Sequence, residues 1–417
     1  MAEPAQYPAT RPGFLAFIAL ASLAPGLRAL WGGWQDFPGS LFVWRQLVVR
    51  DYINIWAGGH LAAQGRLDLV FHPLEYAAWL NATFGDRLDL HNFGYPPHLL
   101  LLAVPLAAIG LVPGFFVWVI GTSALLWGVL RAGGLGGWAA AAVVVSPAAL
   151  ENILIGQNGA LLAGAALGGG LLLAGRSPIL AGALLGLLTL KPQLGLLVPV
   201  CLLAGREFRC LAWTAAFGAA YCVAGLLVFG LQPWLDYVTI VLPFTRGYID
   251  AGFGLASHYI MVPPFIVARA AGAGLATAYA IQGAASLACA VAVAWAWRRR
   301  NVDRRAAVAL ALCLAPLATP YSHAYDLVAV AIACVLLVRL ELERGGISAR
   351  AWLCLAPAWM WPSLALVTGL LLAPGLGTPS LLLAAALAVH HLRRPAGITP
   401  SAPPVPGSSS SRPGWCR

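Results

Sequence analysis

Charge is the scarcest property of this chain. Only 10% of its 417 residues are Asp, Glu, Lys or Arg, against about 25% in a soluble domain. The net charge of +10 lacks the single basic patch that nucleic acid would need, because the arginines sit in short loops between apolar runs. Cys201, Cys210, Cys222, Cys289, Cys313, Cys334, Cys354 and Cys416 show no C-x-x-C spacing, so neither a metal site nor a disulfide framework is implied, and most read as small hydrophobes. No ligand cluster argues for a metal. No G-x-x-x-x-G-K-[ST] loop is present to cradle a nucleotide. Alternation with a period of two is missing from the apolar runs, which excludes a transmembrane β-barrel.

What the chain has in quantity is oil. Hydrophobic residues make up 60% of it and the mean hydropathy is +0.80. Runs of ~17 to 25 apolar residues recur, each long enough to cross a ~30 Å hydrocarbon core as a helix. The fold class expected is an all-α polytopic integral membrane protein with the bilayer as its main partner. A first retained span is placed at 13–31, with Trp31 and Trp34 as interfacial anchors and no cleavable leader before it. Further runs lie at about 98–112, 114–131, 138–150, 159–175, 178–203, 211–230, 274–297, 306–318, 324–338, 351–373 and 379–391. Residues 1–394 form the membrane domain, and the Pro/Ser-rich stretch 395–417 reads as a disordered tail.

Arg206 and Arg209, then Arg298 to Arg305, then Arg339, Arg344 and Arg350 mark the cytoplasmic side. The large loop 34–97, the loop 231–273 and the turn at Thr319 to Tyr325 then share the outer face. Within the first loop, Tyr52 to Gln64 and Pro73 to Phe84 are expected as short helices on the membrane surface, ended by Gly65 and Gly85. In 231–273, the Pro263-Pro264 stretch fits an interfacial or re-entrant helix. Crossing parity within 98–203 stays open, and one interrupted segment there has to be a half-crossing. Gly-x-x-x-Gly at 164–168 and 182–186 is assigned to close helix packing.

Polar residues interrupt the oil at four places. The first follows Arg50: Asp51-Tyr52-Ile53-Asn54-Ile55-Trp56-Ala57-Gly58-Gly59-His60, where Asp51 either does chemistry at the lipid–water boundary or merely caps the helix beginning near Tyr52. Glu151-Asn152-Ile153-Leu154-Ile155-Gly156-Gln157-Asn158-Gly159 is either a polar turn or a cavity lining. Lys191-Pro192-Gln193 sets an ammonium beside a helix breaker, where it needs a counter-charge such as phosphate unless it snorkels to an interface. Thr319-Pro320-Tyr321-Ser322-His323-Ala324-Tyr325-Asp326 either holds an anionic group or caps a helix with Ser322 or Thr319. Phe93-Gly94-Tyr95-Pro96-Pro97 is a rigid re-entry turn.

Asp-Tyr with Trp-Ala-Gly, then Tyr-Pro-Pro, Gly-Gln-Asn, Lys-Pro-Gln and Ser-His-x-Tyr-Asp, in that order across about residues 13 to 390, resemble glycosyltransferase family 87. The resemblance implies a GT-C-type fold with a large first outer loop. It also implies an inverting hexosyltransferase, of the alpha-mannosyltransferase kind, that moves one sugar from a polyprenyl-phosphate carrier to a lipid or glycan hydroxyl. This would take place at the outer face of the cytoplasmic membrane, with no cofactor. By the same resemblance Asp51 falls at the catalytic carboxylate and Lys191 and His323 face the donor phosphate. Gln157 and Asn158 line the cavity, with Tyr95 and Tyr325 as further substrate contacts. Asp51-Tyr52-Ile53-Asn54 departs from the Asp-Phe-x-x-Tyr of many relatives, so the acceptor is not carried over. In this mechanism Asp51 takes the acceptor proton, while Lys191 and a protonated or donor-form His323 stabilise the leaving phosphate. A secondary transporter or lipid flippase is the alternative, and it predicts inverted repeats that the sequence does not display.

Overall fold

The computed structural model describes residues 42–43, 46–47, 51–84, 91–372 and 374–393. The expected first span at 13–31, Arg50, the loop end at Gly85 and the tail 395–417 lie outside the described residues. Apart from a minimal antiparallel pair, Phe42–Val43 with Gln46–Leu47, the described chain is helical. Among the described residues three helices are long and apolar enough to cross a membrane: Leu111–Ala132, Phe208–Phe229 and Leu275–Arg298. All seven cysteines of the described residues are free.

Helix boundaries follow local chemistry. The first-loop helices run Tyr52–Ala63 and Pro73–Phe84. Tyr52–Ala63 buries seven of its residues and packs on Leu100–Ala108. Prolines open the helices Pro147–Ile155, Pro178–Gly186 and Pro264–Ala270, where a missing N–H costs nothing. Ser146 Oγ accepts from the Ala149 amide at 3.3 Å and Asp303 Oδ1 from the Arg305 amide at 2.9 Å, each relieving an orphan donor at a helix start.

The centre of the bundle is the helix pair Arg304–Leu314 and Val328–Leu342, buried along nearly their whole length. Against it packs Ala160–Gly169, whose Gly164 and Gly168 face Val328 and Ile332. Gly182 and Gly186 likewise let Pro178–Gly186 close on Trp213 and Phe217. Both Gly-x-x-x-Gly motifs therefore serve packing, as expected.

Ion pairs gather the basic loops at one end of the bundle. Arg304 reaches Glu207 at 3.4 Å, and Arg305 holds Asp303 at 2.7 Å and Glu343 at 2.6 Å. At the same end Arg339 donates to the Gly134 carbonyl at 3.0 Å and Arg176 to that of Gly133 at 3.3 Å. These contacts give the direction of the helices relative to that end. Leu111–Ala132 runs toward the basic end. Gly137–Val144 and Pro147–Ile155, bent by 50°, return from it, and Ala160–Leu173 comes back.

The chain then leaves the basic end at Ser177 and is back there by Gly205, which abuts Trp297 and Arg304. Residues 178–204 thus form a hairpin of two short helical arms, Pro178–Leu190 and Pro192–Ala204. Gly182 and Gly186 meet Trp213 and Phe217 in the same order along both chains, and Gly195 folds back on Leu188. The tip, where Leu187–Leu190 gives way to Pro192–Gly195, is Lys191.

One segment departs from expectation. Much of 231–273 is helical: Gln232–Asp236, Tyr237–Val241 and Leu242–Asp250 follow without a break. Pro233 and Pro243 obscure this in the sequence, yet Pro233 stands in the first turn of the run, where proline is tolerated, and Pro243 directly follows the wider π-helical turn Tyr237–Val241. The Pro263-Pro264 stretch is the seven-residue helix Pro264–Ala270.

Candidate active site

Asp51 stands at the start of Tyr52–Ala63 but makes no side-chain capping bond to it. Its amide is fastened to the Ile155 carbonyl at 2.9 Å, and its Oδ2 accepts from Gln157 Nε2 at 2.8 Å. The helix-cap reading therefore loses its geometric basis. The half-buried carboxylate is held from across the fold instead.

Gln157 is presented by a turn that depends on the glycines flanking it. Gly156 ends Pro147–Ile155 with φ of 70°, the left-handed region that favours glycine, and a Cβ there would strike Tyr52 and Phe115. A Cβ on Gly159 would strike the Tyr325 carbonyl oxygen, so this turn lies directly on the Ser-His-x-Tyr-Asp segment. Asn152 Oδ1 accepts from the Gly159 and Ala160 amides, at 2.5 and 3.3 Å, and caps the next helix. Glu151-Asn152 to Gly159 is thus both a polar turn and a site wall.

Tyr95 completes this half. Its hydroxyl donates to Gln157 Oε1 at 3.3 Å and accepts from Asn158 Nδ2 at 2.8 Å. Burial, then the Asp51, Tyr321 and Asp326 carboxylates and phenol around it, raise its titration far above the usual range, so the phenol stays protonated. Tyr95→Phe leaves the buried Asn158 amide short of an acceptor. An expected loss of ~1–3 kcal/mol follows, read as a lower unfolding midpoint in detergent, and an unchanged midpoint would remove the network from the stability of the site.

Lys191 forms the second half. It is the one lysine of the chain, and its Nζ donates to Asp326 Oδ1 at 2.6 Å with both side chains nearly inaccessible. The sequence suggests a phosphate as the counter-charge of Lys191; within the protein that place is taken by Asp326. Lys191 also lies 4.9 Å from the centroid of the Tyr325 ring, which favours the cation further. Asp326 Oδ2 accepts from the His323 amide at 3.1 Å, so one carboxylate orders both the cation and the turn. His323 stacks on Tyr325 with centroids 5.1 Å apart.

Burial, and then Lys191 and His258, depress the His323 titration to about 3. Of the two forms expected of His323, this favours the neutral, donor form.

The structure brings Asp51, Tyr95, Gln157, Asn158, Lys191, His323 and Tyr325 into one neighbourhood. Sequence reasoning passed over Tyr321, whose ring meets His323 edge-on, and the pairing role of Asp326. Both stand inside the Ser-His-x-Tyr-Asp motif. Among the described residues no group of three or more His, Cys, Asp or Glu could hold a metal.

A family model for glycosyltransferase family 87 matches residues 93–320. The chain belongs to glycosyltransferase family 87. The matched stretch includes Tyr95, Gln157, Asn158 and Lys191. Asp51 precedes it, and His323, Tyr325 and Asp326 follow it. This family 87 glycosyltransferase matches no curated protein and no solved structure.

Proposed function

We propose that this glycosyltransferase moves a single hexose, mannose, from a polyprenyl-phosphate carrier to a hydroxyl of a lipid or glycan acceptor, with inversion. The reading places a GT-C-type fold in the cytoplasmic membrane, its basic end in the cytoplasm and Asp51 at the outer face. The observation that carries it is the Asp51 carboxylate, released from helix capping and oriented by Gln157, within a polar neighbourhood set among apolar helices. In a single displacement the acceptor oxygen attacks the anomeric carbon as its proton passes to Asp51. The bond to the phosphate oxygen breaks and the carrier phosphate keeps the electron pair. A base held in place contributes roughly 10² to 10⁴ in rate.

Tyr95, Gln157, Asn158 and Tyr325 would contact the sugar, Lys191 and His323 the donor. Lys191 has three N–H donors and Asp326 engages one, so the others serve a phosphate or sugar oxygen. The purified enzyme is expected to transfer radiolabelled mannose from polyprenyl-phosphate mannose to an extracted lipid or glycan acceptor. It should not do so from a nucleotide sugar supplied without the lipid. Efficient transfer from the nucleotide sugar alone would overturn the donor assignment.

A further inference from the structure

His258 lies in the stretch between Asp250 and Pro264, in a part of the chain that carries no recognised motif. The residue is only 1% exposed. Its Nδ1 accepts from the Gly254 and Leu255 amides, both at 3.3 Å. An Nδ1 with that duty has no proton, so the neutral ring carries its hydrogen on Nε2. Phe253 stacks on the ring with centroids 5.8 Å apart, and burial followed by the Arg269 charge lowers its titration.

Yet His258 Nε2 is buried with no hydrogen-bond partner. Buried donors are almost always satisfied. Arg269, on Pro264–Ala270, shows the same deficit. Two of its nitrogens donate to carbonyls, Nη1 to Ala273 at 2.9 Å and Nη2 to Asp250 at 3.5 Å, while Nε is buried and unpartnered. The nearby Asp250 carboxylate is already engaged, by Tyr279 at 2.5 Å and Arg246 at 3.4 Å.

These groups belong to the site's surroundings. Met261 bridges to His323 as an antiparallel pair and the Val262 amide donates to the Ser322 carbonyl at 3.4 Å. Arg269 bears electrostatically on His258, and His258 with Lys191 on His323. Of the two cations in this series, Lys191 is already neutralised by Asp326, and among the described residues Arg269 has no carboxylate partner.

We propose that His258 Nε2–H and Arg269 Nε–H form a donor-only site for the oxygens of a lipid-borne phosphate, adjoining the Lys191–His323 turn. Two N–H groups and a positive charge with no acceptor among them suit an anionic oxygen ligand. A sugar hydroxyl, which also needs an acceptor, fits less well. The inference rests on the polyprenyl-phosphate reading above and adds Arg269 to Lys191 in the charge recognition of that donor.

Binding of farnesyl phosphate and of farnesol to the purified full-length protein, followed by calorimetry, tests it. The wild type is expected to bind the phosphate and not the alcohol, and Arg269→Gln to weaken phosphate binding about tenfold or more. Two variants of His258 separate ligand binding from folding. His258→Asn keeps an acceptor for the two loop amides but loses the Nε2 donor, so it should melt like wild type and bind about tenfold more weakly. His258→Gln keeps a donor at the far position but loses the acceptor, so it should melt earlier and still bind.

Wild-type binding by both His258→Asn and Arg269→Gln would overturn this site and leave the lipid-phosphate donor standing. A wild type that binds farnesyl phosphate no better than farnesol would overturn the donor reading itself. Inorganic phosphate binding as tightly as farnesyl phosphate would reassign the site to a free anion and overturn the lipid-borne source.

Discussion

Asp51→Asn is expected to lower turnover by roughly 10² to 10⁴ while the protein folds as before. The substitution keeps an oxygen for Gln157 Nε2, now 2.8 Å from Oδ2, and keeps the backbone bond to Ile155. It removes the charge, and with it the ability to take a proton. A capping role would have made the exchange nearly silent in turnover, because Asn caps about as well as Asp. The structure shows no capping bond to lose. Turnover measured with donor and acceptor both saturating decides the matter, and near-wild-type transfer would take Asp51 out of the mechanism.

Lys191→Met is the second large effect, and its main consequence is on stability. Asp326 is fully buried, so removing its ammonium partner strands a carboxylate in the interior, at an expected cost of about 3–5 kcal/mol. Pairing the change with Asp326→Asn withdraws the stranded charge while retaining an acceptor for the His323 amide. The double variant should recover most of the lost unfolding free energy, because an ion pair replaced on both sides is often close to neutral. Turnover of that double variant then separates two roles. If Lys191 only braces the turn, activity returns with stability. If its remaining N–H donors meet the donor substrate, activity stays low in a protein that melts normally.

Much of the fold is legible in the sequence because apolar run length and proline or glycine punctuation are local signals. Tyr52–Ala63, Pro73–Phe84 and Leu275–Arg298 fall where the runs place them. Direction is not local. The run 178–203 reads as a span broken at Lys191, and only the contacts of Gly205 with Trp297 and Arg304 reveal that it turns back.

Candidate residues are legible as polar interruptions, while their pairing is not. Lys191 and Asp326 each stand out, yet their bond joins positions 135 apart in sequence, and no spacing rule reaches that far. His258 and Arg269 escape notice for the opposite reason. A lone histidine and a lone arginine outside any motif look ordinary until their unpartnered nitrogens are seen.

The hairpin also sets an order of assembly. On the membrane reading proposed above, neither arm of residues 178–204 is long enough to span the hydrocarbon, and the tip carries a lysine whose insertion alone costs ~2.5 to 3.5 kcal/mol. The carboxylate that stabilises it is synthesised 135 residues later. The nascent hairpin therefore has no reason to settle at full depth when it leaves the ribosome, and its docking waits for Val328–Leu342 to arrive. The Lys191–Asp326 bond then forms only in chains whose later segment is already in place.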